Sequence, residues 1–71
     1  MKTKDKTELK DRIKSYRKNL NLSQAECAEC AGIERKTINR IENGHFDPSF
    51  STLLRLATVF GVPASTLIKD L

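Results

Sequence analysis

With 71 residues, 38% of them hydrophobic and 31% charged, the chain has material for one domain with a modest core. Thirteen Lys and Arg against nine Asp and Glu give a net charge of +4, a balance that suits an anionic partner because counterion release from phosphates favours association. No apolar run approaches the roughly 20 residues that span a bilayer, and the polar start MKTKDKTELK lacks the apolar stretch of a secretory signal, so a cytoplasmic location without a membrane partner is expected.

Residues 1–6 alternate Lys with small polar residues, which predicts a flexible basic arm ahead of a single domain over 7–71. Leu9, Ile13, Tyr16 and Leu20 recur at helical spacing and predict a first helix over 7–19, closed by Asn19-Leu20-Asn21. Ser23 followed by Glu26 is a capping box that opens a second helix. Its inner face is Cys27, Ala28 and Ala31, small enough for a neighbouring helix to approach closely. Gly32 stops it, since glycine takes a left-handed backbone without a steric penalty, and Ile33 turns inward. Glu34 is expected to cap a third helix over 35–43, with Gly44 at its end. Asp47-Pro48-Ser49 reads as a turn and an N-cap. The fourth helix is expected over 50–60, with Phe50, Leu53, Leu54, Ala57 and Phe60 on its apolar side and Gly61 after it. Val62-Pro63 leads to a last helix over 64–70, with Ala64, Leu67, Ile68 and Leu71 in one stripe. Five helices, short connections and no strand pattern make the fold class all-α, a compact bundle. No segment remains for a ligand-sensing domain, so no small-molecule effector is expected.

Cys27 and Cys30 form a C-x-x-C, but the tetrad lies inside a helical pattern with no second Cys pair, and His45 is the lone histidine. Two Cys and one His leave a tetrahedral zinc site one ligand short. Helical geometry puts Cys27 in the core and Cys30 near the surface, so neither a metal nor another cofactor is expected.

The third helix carries the chemistry. Each helical residue turns about 100° from the last. Ile38 and Ile41 must face the core, which turns Lys36, Asn39, Arg40 and Asn43 outward, with Arg35 and Thr37 on the flanks. That face holds no acid. Its donors suit base edges in a DNA major groove: Arg or Lys for guanine O6 and N7, Asn for adenine N6 and N7. Two short helices with a glycine turn between them form the helix-turn-helix that can carry such a face into the groove. Glu42 projects toward the core side and Arg17 flanks the apolar stripe of the first helix, so a partly buried Arg17–Glu42 ion pair is expected.

LSQAE at the second helix, the small positions Ala28 and Gly32, the apolar positions Ile33, Ile38 and Ile41, IENG at the end of the third helix and DPS-x-x-TLLRLA-x-x-FGV after it resemble the phage Cro/repressor-type (XRE-like) helix-turn-helix family over about Leu9 to Leu71. The resemblance implies a lambda-repressor-like five-helix bundle that binds operators as a dimer and regulates transcription. It implies base-reading roles for Arg35, Lys36, Asn39 and Arg40, with Thr37 beside them. It transfers a phosphate contact to Gln24, with Ser23 next to it, and implicates Asn43, His45 and Phe46 at the backbone. The family's Arg–Glu pair falls on Arg17 and Glu42. Cys27 stands where the family usually has leucine, so the smaller side chain is expected either to loosen the core or to let a neighbour such as Phe60 fill the space. Glu34 stands where Ser or Thr is common, so its carboxylate is expected to be held back by a nearby base. Among subfamilies, the short chain with an acidic residue and then Arg at the start of the third helix most resembles restriction–modification controller proteins and small phage repressors.

Val59 lies off the apolar face of the fourth helix and is expected to be exposed. Part of the surface of Val59, Leu67, Ile68 and Leu71 is expected to join two copies about a two-fold axis, which would set two reading helices about 34 Å apart over a near-palindromic site. The alternative is that Leu67, Ile68 and Leu71 only cover the core of their own chain. Without an effector domain, such a homodimer responds to its own concentration, as an autoregulator would. An enzyme is disfavoured: the chain has no nucleophile–base–acid set and no phosphate-cradling glycine loop. The alternative is an antitoxin-like protein-interaction module that also binds DNA, marked by co-purification with a stoichiometric partner. Non-specific nucleic-acid binding is a third reading, separated by comparing operator-like with random duplex.

Overall fold

The computed structural model describes residues 8–70; the basic arm over 1–6, Thr7 and Leu71 lie outside the described residues. Five helices follow in order: α1 (Leu9–Asn19), α2 (Gln24–Ala31), α3 (Arg35–Glu42), α4 (Phe50–Phe60) and α5 (Ala64–Ile68). Among the described residues there is no strand, and no helix is long and apolar enough to cross a membrane. Three ends fall short of expectation: α1 starts at Leu9 rather than at residue 7, with Glu8 extended (φ −88°, ψ 158°) as its N-cap. Asn43 closes α3 rather than continuing it, and α5 stops at Ile68 because Lys69 is extended (φ −60°, ψ 131°) and Asp70 has φ 61°.

The core gathers Ile13 from α1, Cys27, Ala28 and Ala31 from α2, Ile38 and Ile41 from α3, Leu53, Leu56, Ala57 and Phe60 from α4, and Leu67 from α5. The small side chains of α2 let it sit between α3 and α4, so the two-helix unit is braced from behind. Tyr16 stacks on Phe60 with centroids 5.4 Å apart and rings 17° from parallel, which ties α1 to α4. Arg12 reaches the free carbonyls at the end of α5, donating to Thr66 O (3.4 Å) and Leu67 O (3.2 Å).

The apolar side of α4 differs from the expected one. Leu56 is fully buried, whereas Leu54 is 44% and Phe50 68% exposed. Leu53, Leu56, Ala57 and Phe60 form an i, i+3, i+4, i+7 stripe. Leu54 is rotated about 100° from Leu53 and falls outside it, and Phe50 at the first helical position lies beyond the rim of the core. Leu67 also requires correction as a dimer contact: it is fully buried in its own chain and has no surface left for a partner. Val59, expected exposed, is half-buried against the same core, while Ile68 stays 45% exposed.

Candidate nucleic-acid interface

The unit begins with a completed capping box. Ser23 Oγ accepts from Glu26 N (3.0 Å) and Ser23 N donates to Glu26 Oε1 (2.8 Å), which satisfies two donors that the first turn of α2 would otherwise leave open. At the turn, Gly32 has φ 72°, its N–H donates to Glu29 O, and the Ile33 N–H donates back to Ala28 O at 2.9 Å. A side chain at Gly32 would be strained by its backbone. The backbone is left-handed, and a Cβ would stand 3.0 Å from Arg55 Nη1, which itself donates to Ala31 O.

From that turn α3 leaves with two distinct faces. Ile38, Ile41 and Glu42 are buried, while Arg35, Lys36, Asn39 and Arg40 are exposed and Thr37 is half-buried. Gln24, Arg35, Lys36 and Asn39 line an open hollow between the starts of α2 and α3. Glu34 precedes α3 but makes no side-chain cap bond and pairs with no base among the described residues. The expectation of a Glu34 cap is therefore corrected: good caps are short, and the extra methylene carries the Glu carboxylate past the open amides.

Arg17 and Glu42 meet in a two-pronged ion pair, Nε to Oε2 at 2.7 Å and Nη2 to Oε1 at 2.9 Å. Arg17 Nη1 also donates to Leu22 O at 2.8 Å, so the guanidinium joins α1, the connection to α2 and the end of α3. Burial alone would push the Glu42 carboxyl up. The hydrogen bonds from Arg17 and Gln24, with the charges of Arg17 and Lys14, outweigh burial and hold it below the usual carboxylate range. The bond to Glu42 raises Arg17, against its own burial.

The pair continues outward. Gln24 Nε2 donates to Glu42 Oε1 (3.1 Å), Asn39 Nδ2 donates to Gln24 Oε1 (3.2 Å), and Asn43 Nδ2 donates to Asn39 Oδ1 (3.2 Å). The structure thus joins Gln24, Asn39 and Asn43, which sequence reasoning treated separately. Ser23 is exposed at the head of α2, and His45 and Phe46 are exposed in the turn beyond α3, Phe46 by 43%. Lys10 was not singled out in the sequence. It lies over Gly44, where a Cβ would be 3.2 Å from Lys10 Cδ and 3.6 Å from its Nζ, so its ammonium stands at the end of α3. Its only sequence signal was a lysine repeating at Lys14 along α1. Cys27 is buried and Cys30 exposed, both as free thiols, and burial pushes the Cys27 thiol up. Phe60 has Tyr16 as its stacking partner.

A capped short helix, a left-handed glycine turn and a second helix with a buried isoleucine side and an acid-free polar side define a helix-turn-helix domain. The chain belongs to the helix-turn-helix family of phage-repressor (XRE) type, transcriptional regulators whose family profile matches residues 11–70. It is 41% identical over 54 residues to the uncharacterized HTH-type transcriptional regulator MJ0272 of Methanocaldococcus jannaschii, covering 76% of this chain and 82% of the relative. It is 37% identical over 59 residues to the immunity repressor of Bacillus phage phi105, covering 83% of this chain and 41% of that protein. Among solved structures, SinR of Bacillus subtilis, the master regulator for biofilm formation, crystallised in complex with DNA, is similar at TM-score 0.83 and 33% identity, over 87% of this chain and 100% of the other. The restriction–modification controller protein C.AhdI from Aeromonas hydrophila is similar at TM-score 0.79 and 27% identity, over 83% and 89%.

Proposed function

We propose that the protein binds a near-palindromic operator in double-stranded DNA as a homodimer, with α3 in the major groove, and thereby controls transcription, including its own. The observation that carries this reading is the outer side of α3: Arg35, Lys36, Asn39 and Arg40 exposed together, without an acid, on a helix whose other side is locked into the core. Arg35, Lys36, Thr37, Asn39 and Arg40 read base edges. Ser23, Gln24, Asn43, His45 and Phe46 approach phosphates; Ser23 Oγ already accepts from Glu26 N and keeps its own hydrogen to donate. Similarity to SinR in complex with DNA supports the partner class. Ile68, 45% exposed, and half-buried Val59 are the described residues of the dimer contact.

Selection from random duplexes tests the reading. The expected product is an inverted repeat with half-site centres about one helical turn apart; a pool without enrichment refutes it. Ile68→Glu is expected to shift the sedimenting species from dimer to monomer and to reduce operator occupancy at low protein concentration, while half-site preference persists.

A further inference from the structure

We propose that Gln24 is a positioning residue for base specificity: together Glu42 and Gln24 set which way the Asn39 carboxamide points, and so make Asn39 select adenine over guanine. This role rests on the reading of α3 as the base-contacting helix.

The order starts from one buried charge. Glu42 Oε2 accepts from Arg17 Nε, and Glu42 Oε1 accepts from Arg17 Nη2 and Gln24 Nε2. An ionised carboxylate only accepts, so the end of Gln24 that meets it must be the NH2. Gln24 Oε1 is then left on the outer side, where it accepts from Asn39 Nδ2 at 3.2 Å. Asn39 Oδ1 in turn accepts from Asn43 Nδ2 at 3.2 Å. A lone surface asparagine can turn its amide over at little cost. Here the turn would set Asn39 Oδ1 against Gln24 Oε1, whose orientation the Glu42 carboxylate fixes, losing that bond and opposing like poles, while Asn43 can turn over to follow Asn39.

After those two bonds Asn39 retains one N–H and one oxygen lone pair. Adenine in the major groove offers an acceptor at N7 and a donor at N6, which match that remainder. Guanine offers acceptors at both N7 and O6, which would face the Asn39 oxygen with a second acceptor. Gln24 would therefore act on sequence choice at one base pair, whereas a residue that only touches phosphate weakens every sequence alike.

The test uses the full chain and a duplex enriched from a random pool, with each base pair of one half-site varied at a single salt concentration. Asn39→Ala is expected to abolish the preference for adenine at one position. Gln24→Met, which keeps length but has no amide, is expected to reduce that same preference by at least about threefold, with smaller changes elsewhere, and to add nothing to it in the Asn39→Ala background. In the free protein, Gln24→Met is expected to shift the side-chain NH2 resonances of both Asn39 and Asn43. Glu42 keeps both bonds from Arg17 in this variant, and a melting curve beside that of the parent chain checks its fold. Equal weakening on all duplexes, or Asn39 amide signals unmoved by Gln24→Met, would overturn the positioning role and leave the base-reading helix standing. A pool with no enriched sequence would overturn that reading and this role together.

Discussion

Helices α3 and α4 are both amphipathic, yet their outer sides differ. Outside, α3 shows Arg35, Lys36, Asn39 and Arg40, while α4 leaves Phe50 and Leu54 exposed among Ser51, Arg55 and Thr58. Their inner sides differ as well. α3 buries two isoleucines and one carboxylate, and α4 buries Leu53, Leu56, Ala57 and Phe60. The contrast separates two jobs. α4 holds the bundle together through area removed from water, whereas α3 adds a buried charge whose partners must be supplied by other helices. Its outer side contributes little to folding and is free to be chosen for recognition.

The largest effect that would break this contrast is expected at Glu42. Glu42→Ala leaves Arg17 buried without its partner and should cost about 3–5 kcal/mol in urea unfolding at neutral pH. Leu56→Ala, the matching change inside α4, should cost about 2–5 kcal/mol, measured in the same way, and the two together show whether polar or apolar burial dominates.

Acid sharpens the Glu42 half of the comparison. The Glu42 carboxyl titrates lower in the folded chain than in the unfolded one, so the folded state binds fewer protons. Its stabilisation is fully present above the ordinary glutamate value of about 4.3 and is lost as pH falls through the depressed folded value. Melting temperatures followed downward from neutral pH should show a fall below about pH 4.3 that is reduced in Glu42→Gln.

On the outer sides the expected changes are smaller and differ in kind. Arg40→Ala should cost about 1–3 kcal/mol in operator binding and relax preference at one base pair, with folding stability changed by less than about 0.5 kcal/mol. Leu54→Ser should leave unfolding within about 0.5 kcal/mol of the parent chain. A large loss there would mean that Leu54, rather than Leu56, belongs to the core in solution.

Much of the fold is written locally. Ser23 and Glu26 announced α2 through a capping box, Gly32 its end, and Ser49 and Gly61 the limits of α4, because each signal is settled within four residues of chain. The outward face of α3 was legible too, since two isoleucines three apart orient a helix. Periodicity could not choose between two overlapping stripes, Phe50-Leu53-Leu54-Ala57 and Leu53-Leu56-Ala57-Phe60, because both have helical spacing and the packing neighbours decide which is covered. Nor could it tell that Leu67 is fully enclosed within its own chain, since a stripe of apolar residues does not say what lies against it.

By itself the sequence determined five helices, the Ser23 and Ser49 caps, the glycine turns, and which side of α3 meets water, for these depend on spacing and backbone preference over a few residues. Only the tertiary structure decided that Gln24 turns inward to Glu42 and outward to Asn39, and that Lys10 lies over Gly44. Those contacts join residues 15 to 34 positions apart in the chain, from Asn39–Gln24 to Gly44–Lys10. They form because packing brings side chains of separate helices together, a proximity that no local pattern encodes.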